Sequence, residues 1–170
     1  MTDICIIVAI TRGGAIGRRG DMIYHLKADL RRFKALTTGH TVVMGRRTFL
    51  SLPKGALPHR RNIVVSRNSD FSAPGAEVFP SLEAAIKATE GEDRIFIIGG
   101  GEIYRQAMPL ATSMEITHID VDAPADADTF FPDIDPDRWK KTAESAPVTD
   151  SPDSPPYRFT TYKDNRSHHQ

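Results

Sequence analysis

A single cysteine, a single tryptophan and no excess of either charge bound what this 170-residue chain can be. Cys5 has no second thiol to oxidise with and cannot complete a zinc site. In the apolar run Ile4–Ile10 it reads as a small core residue. His25, His40, His59 and His118 show no metal-ligand spacing, so no metal is expected. Lys plus Arg and Asp plus Glu number 22 each. Overall charge therefore points to no nucleic-acid or membrane partner. The longest apolar run, Ile4–Ile10, is far shorter than the roughly 20 residues that span a bilayer. It also lacks a basic leader, so no secretory signal is expected and a cytoplasmic protein is. No internal repeat, GxSxG elbow or GxxxxGK[ST] loop occurs. The nearest approach to GxGxxG, ending in Gly14 and Gly17, has Arg12 where the first glycine should stand.

What is present suits one α/β domain over residues 1–163, with a polar, frayed tail at 164–170. Ile4–Ile10 is continuous and β-branched, as in a strand buried on both faces. Gly13, Gly14, Gly17 and Gly20 then predict a mobile loop before a helix over Leu26–Thr37. Further strands are expected at Thr41–Met44, Asn62–Ser66, Ala76–Phe79, Arg94–Ile98, Met114–Val121 and Arg158–Lys163. Helices are expected over Arg46–Leu52, from an N-cap at Ser81 to about Glu90, and after Gly99-Gly100-Gly101 until Pro109 stops it. Alternating strands and helices, then closing strands without a helix, imply a mostly parallel twisted sheet of about eight strands with an antiparallel C-terminal edge. Asp120–Asp137 reads as an acidic loop. Residues 146–156 carry four prolines and read as surface, with no function assigned.

The first helix holds the chemical signal. At about 100° per residue, Leu26, Leu30, Phe33, Leu36 and Thr37 share one arc. Lys27, Ala28, Arg31, Arg32, Lys34 and Ala35 lie opposite. Asp29 falls inside the apolar arc, between Leu36 and Phe33, as its only charge. A carboxyl group beside an apolar cleft has its pKa raised by desolvation and suits proton chemistry or the grip of a cationic ligand. The plainer reading is a first-turn Asp that favours the helix N-terminus.

Ligands of open parallel sheets bind beyond the carboxyl ends of the strands. Two segments at that edge suit phosphate. Val42-Val43-Met44-Gly45-Arg46-Arg47-Thr48 is a strand feeding a helix whose first turn carries two arginines. Ile97-Ile98-Gly99-Gly100-Gly101-Glu102 offers three glycines past which backbone can approach a ligand, although triple glycine is also an ordinary tight turn. Arg67, after the third strand, adds a cation that with Arg46 and Arg47 suits a 2′-phosphate, favouring NADP over NAD. Arg60 can grip a carboxylate in bidentate fashion. Arg60 and Arg67 each also read as solvated surface cations.

The ordered set of motifs resembles bacterial dihydrofolate reductase over about residues 3–163. It comprises Ile7-Val8-Ala9-Ile10, Ala15-Ile16-Gly17, His25 through Lys34, Val43 through Phe49, Ser51-Leu52-Pro53, Leu57-Pro58, Arg60-Arg61-Asn62, Ile98 through Gly101 with Ile103-Tyr104, Thr117-His118-Ile119, and Asp128 through Pro132. The resemblance implies reduction of 7,8-dihydrofolate by NADPH in a monomer. Asp29 would hold the pteridine and support protonation of N5, and Thr117 would hydrogen-bond Asp29 from behind. Ile7, Val8, Leu30, Phe33, Leu52, Leu57 and Ile98 would wall the folate, and Arg60 would bind its α-carboxylate. Arg46, Arg47, Thr48, Ser66 and Arg67 would hold the cofactor's phosphates and adenosine. Gly99, Gly100 and Gly101 would approach the pyrophosphate, with a cis peptide between Gly99 and Gly100. Ala9, Gly45, Glu102, Ile103 and Ile98 would complete the cofactor wall, with Tyr104 near the nicotinamide. Ile16 and Met22 would lie in a lid, and Asp128 in the outer loop that steadies it.

Two residues depart from that pattern. Ile23-Tyr24 replaces the usual Pro-Trp, so the Tyr24 hydroxyl would have to serve the active site from a different point than an indole N–H. Lys27 replaces the usual Pro and loosens the helix start slightly. Two other readings stand beside the first. One is the riboflavin-pathway reductase, which shares the fold and the NADPH edge but reduces a ribosylaminopyrimidine. The other is a catalytically silent NADPH-binding protein.

Overall fold

The apolar run near the start forms β1 (Asp3–Arg12), inside an eight-stranded sheet, in a computed structural model that describes residues 1–168. Its even-numbered residues Ile6, Val8 and Ile10 pack into one layer with Val43, Ile63, Ile95 and Ile97. Its odd-numbered Cys5 and Ile7 pack into the other with Val42, Met44, Val64 and Phe96. The period-two alternation places both faces against core, which is why the run has no polar interruption.

β1 pairs in parallel with β7 (Arg94–Gly99) on one side and β8 (Ser113–Asp122) on the other. Beyond β7 the sheet continues through β4 (Thr41–Gly45), β5 (Arg61–Val65) and β6 (Ala76–Phe79), all parallel. Beyond β8 come β11 (Tyr157–Asp164) and β10 (Trp139–Glu144), in two antiparallel pairings. The carboxyl ends of β1, β4, β5 and β7 therefore open on one edge. Four helices flank the sheet: α1 (Lys27–Thr37), α2 (Arg46–Ser51), α3 (Leu82–Lys87) and α4 (Gly101–Ala107).

Four expectations need correction. The glycine-rich stretch after β1 is not a free loop. It forms β2 (Ala15–Arg18) and β3 (Asp21–Met22), joined by β9 (Thr129–Phe130) from the acidic segment in a small three-stranded sheet. β10 was not foreseen, because only Trp139 of its residues is buried and an edge strand with a solvated face carries little apolar signal. α3 ends at Lys87 rather than near Glu90, its last turns closing through Thr89 and Glu90 amides onto Ile86 and Lys87 carbonyls. The tail does not fray at 164. Asp164 ends β11 as a buried residue paired with Arg138 and Arg166, and a 3-10 turn follows over Asn165–His168. His169, expected to be a tail residue, lies outside the described residues.

Candidate active site

A cleft of about 1660 Å³ opens at the carboxyl edge, between α1 on one side and the ends of β4, β5 and β7 on the other. Pockets for one small molecule run to roughly 300–1,000 Å³. The volume therefore suits two ligands side by side, and the lining divides into an apolar half and a cationic half.

Asp29 sits in the apolar half, in the first turn of α1. Thr117, buried in β8, donates its hydroxyl to Asp29 Oδ1 at 2.5 Å. Burial pushes the Asp29 carboxyl above its usual range, against the opposing pulls of the Thr117 hydrogen bond and the Arg32 charge; the nearby Asp150 charge adds to the rise. The apolar arc of α1 divides between cleft and core: Leu30, 45% exposed, and Phe33 line the cleft, while Phe33 and Leu36 also pack against the core and Thr37 is buried. Arg32 was expected only to lie opposite the apolar arc. It lies 4.7 Å over the Phe159 ring and donates to buried Glu115 at 3.0 Å. On the same helix Asp29 meets Thr117 of β8 and Leu30 lines the cleft.

Ile7, Val8, Leu30, Phe33, Leu52, Leu57 and Ile98 line the apolar half around Asp29. Thr117 lies behind Asp29 and does not line the cleft. Arg60 closes the far end. Its Nε donates to the Pro58 carbonyl at 2.9 Å and its Nη1 to Thr37 Oγ1 at 3.1 Å, which fixes the guanidinium plane. Its remaining N–H groups have no hydrogen-bond partner among the described residues, and Arg60 lines the cleft.

The cationic half is built from Gly45, Arg46, Arg47 and Thr48 at the β4–α2 junction, Ser66 and Arg67 after β5, and Gly99 to Ile103 at the β7–α4 junction. Arg46 stacks 4.7 Å over Phe71, which holds it at the cleft wall. The Gly99–Gly100 peptide is cis. A side chain on Gly45 would come within 3.1 Å of Ile103, and one on Gly101 within 2.6 Å of Thr129 Cγ2. Both glycines thus leave room for Ile103 and Thr129 to pack directly against the backbone of this wall. The Gly101–Thr129 approach also ties this wall to β9 of the small sheet. Gly101→Ala is expected to displace Thr129 and weaken dinucleotide binding about tenfold, read by fluorescence titration of the cofactor. Unchanged affinity would show that Thr129 turns aside freely.

The small sheet roofs the cleft. Ile16, Met22 and Tyr24 line it from above, and Tyr24 packs near Leu26 and Tyr157. Asp128 clamps the roof at both ends: its Oδ2 accepts the Arg19 amide at 2.8 Å, and its own amide donates to the Gly17 carbonyl at 3.1 Å. The Arg19 amide holds the Asp128 carboxyl below its usual range. Tyr104 is buried on α4 and donates its hydroxyl to the Ile7 carbonyl at 2.8 Å. Burial raises its pKa, so it stays a neutral donor. Ala9 lines the cleft beside Val8, and Glu102 does so in an ion pair with Arg105.

Sequence reasoning missed Arg18, Lys34, Arg105 and Gln106 at the cleft. Lys34 was set opposite the apolar arc, yet it follows Leu30 by one helical turn and so stands at the margin of that arc, where it reaches the cleft. The others follow glycine loops whose paths the sequence does not fix.

The chain matches the family model described as dihydrofolate reductase over residues 3–164. It is 44% identical to the dihydrofolate reductase of Neisseria meningitidis serogroup A over 162 residues, covering 95% of this chain and 98% of that relative. It is 49% identical to the dihydrofolate reductase of Mycobacterium leprae over 141 residues, covering 82% and 86%. Among solved structures it resembles dihydrofolate reductase from Enterococcus faecalis complexed with NADP(H) and RAB-propyl. The TM-score is 0.86 at 31% identity, with 96% of each chain covered.

Proposed function

The chain belongs to the dihydrofolate reductase family, and from that premise we propose that it reduces 7,8-dihydrofolate to 5,6,7,8-tetrahydrofolate with Asp29 as the residue that supports protonation at N5. NADPH, when bound, supplies the hydride that reaches pteridine C6. The observation that carries the reading is the Asp29 carboxyl held by Thr117 in an apolar half-cleft that adjoins a cationic, glycine-walled half.

Each group then has a task. Asp29, with its proton affinity raised by burial, binds the pteridine amino group and ring nitrogen and favours the protonated imine. Protonation makes the neighbouring carbon a better hydride acceptor. Thr117 keeps the carboxyl plane fixed. The apolar wall from Ile7 to Phe33 excludes water from the flat ring, and Arg60 takes the α-carboxylate of the glutamate tail. Arg46, Arg47, Ser66 and Arg67 supply the charge and hydrogen bonds for a dinucleotide that carries a 2′-phosphate, and the backbone at Gly99 to Gly101 leaves room for its diphosphate. Ile16, Met22 and Tyr24 close over the reacting edges, steadied by Asp128. Tyr24 offers a hydroxyl where the resemblance leads one to expect an indole N–H. We also place the enzyme in the cytoplasm as a monomer, with its charge balance giving no reason for a nucleic-acid partner.

The test is the absorbance of NADPH on adding dihydrofolate to purified protein. Rapid loss of NADPH is expected. With NADH the kcat/KM should fall at least about tenfold, because the three arginines lose the 2′-phosphate. Turnover of a ribosylaminopyrimidine in preference to dihydrofolate, or NADPH binding without turnover of either, would replace the proposal by one of the two readings it displaces. Neither is favoured by the family match or by the pairing of Asp29 with Arg60 across one cleft.

A further inference from the structure

The proline-rich stretch left without a function is a shaped hairpin aimed at the start of α1. Val148 and Tyr157 exchange backbone hydrogen bonds at 2.8 and 2.9 Å across its base, and Ser151 and Ser154 bond at its tip. Four prolines, Pro147, Pro152, Pro155 and Pro156, limit its conformations. The hairpin holds Asp150 against α1: Oδ2 accepts the Lys27 amide at 2.8 Å, and Oδ1 accepts the Tyr157 hydroxyl at 2.7 Å. The Tyr157 oxygen in turn accepts the Ala28 amide at 3.2 Å.

These bonds supply what the helix lacks. Its N-cap is Leu26, which has no side-chain acceptor, so the first amides of α1 have no local partner. Asp150 and Tyr157 satisfy the amides of Lys27 and Ala28, the two residues that immediately precede Asp29. Tyr157 is fully buried. The clamp is thus fixed to the core on one side and to the helix start on the other.

We propose that Asp150, held by Tyr157, is a positioning residue for the reaction: it caps α1 from a distant hairpin and so sets where the Asp29 carboxyl stands against Thr117. This rests on the reading of Asp29 given above. Asp150 also adds charge to the same neighbourhood. Asp29 is faced by Arg32 from its own helix, Thr117 from β8, Tyr104 from α4, Tyr157 from β11 and Asp150 from the hairpin. Among these Asp150 is the anion, and its charge favours the protonated form of Asp29.

Asp150→Asn keeps an acceptor for the Lys27 amide and removes the charge; Asp150→Ala removes both. Single-turnover hydride transfer, measured against pH, separates the effects. Asp150→Ala is expected to slow transfer about tenfold at neutral pH by loosening the Asp29 geometry, with NADPH affinity unchanged. Asp150→Asn is expected to match the native enzyme below the Asp29 pKa and to run about threefold slower above it. Amide exchange at Lys27 and Ala28 should quicken in the Ala variant and stay slow in the Asn variant. Carbon NMR of the Asp29 carboxyl should show it titrating at lower pH in the Asn variant. Lower stability in both variants with unmoved pH profile and unmoved Asp29 titration would reduce the hairpin to a structural brace and overturn the proposal. Should the native protein fail to reduce dihydrofolate, the assignment of function falls, and the exchange and titration data still decide the clamp.

Discussion

Asp29→Asn is expected to lower turnover by about 10²–10⁴-fold while making the folded protein more stable at neutral pH. The loss follows from chemistry: an amide binds the pteridine edge but neither takes up nor releases a proton there. NADPH affinity should persist, since the cationic half of the cleft is untouched. The gain follows from burial. Desolvation raises the Asp29 pKa in the folded state above its unfolded value. The sign of the linkage is then fixed: the folded state is favoured by the protonated carboxyl, and that advantage is lost as pH rises through the raised pKa. At neutral pH the native enzyme bears the cost of a partly buried charge that Asn does not carry, while Asn still accepts the Thr117 hydroxyl. A rise in Tm of about 2–4 °C at pH 7.5, corresponding to about 1 kcal/mol in a protein of this size, should shrink towards pH 4. The pairing of lost turnover with gained stability is the diagnostic result. A variant that retains turnover, or whose Tm falls at neutral pH, would remove Asp29 from the role assigned to it.

The same residue shows how far the sequence reaches. A lone charge on an apolar helical arc is visible without coordinates, and so is the alternation-free β1 run that places two layers of core around it. The arginines after β4 and β5 were legible because short loops leave few paths for the chain between a strand end and the next element. Other features were hidden for definable reasons. The roof strands β2, β3 and β9 are two to four residues long, too short for local propensity to mark, and β2 is tied to β9 by a pairing across more than a hundred positions. Arg32 was placed only as lying opposite the apolar arc, because helical periodicity cannot reveal the buried Glu115 that receives it. Lys27 was read as a loosened helix start. That inference was sound locally, and the structure offsets it with an acceptor 123 positions away. Sequence patterning thus recovers faces and junctions, whereas caps and ion pairs supplied by distant segments need the fold.

Arg60→Leu is expected to raise the KM for dihydrofolate about 10- to 100-fold, with kcat changed far less and NADPH affinity unchanged. The argument starts from geometry. Two of the Arg60 N–H groups are committed to Pro58 and Thr37, so the guanidinium is already oriented before a ligand arrives. Preorganisation spares the entropy of fixing a long side chain, and the remaining donors meet a carboxylate in the fork arrangement that such groups favour. Burial lowers the Arg60 pKa somewhat, yet an arginine remains a cation across the working range. Hydrogen bonds to charged groups contribute about 1.5–3 kcal/mol, which corresponds to the stated change in KM. The interaction lies at the far end of the cleft from Asp29, so it acts equally on bound substrate and transition state. Arg60→Lys should recover only part of the loss, because an ammonium cannot reproduce the fork or the bonds to Pro58 and Thr37. The decisive control is a dihydropterin that lacks the glutamate tail. Native enzyme and Arg60→Leu should handle it alike, because the carboxylate that Arg60 holds is gone from the substrate. If the variant also loses activity on the truncated substrate, Arg60 shapes the cleft through Thr37 and α1 instead of gripping the tail.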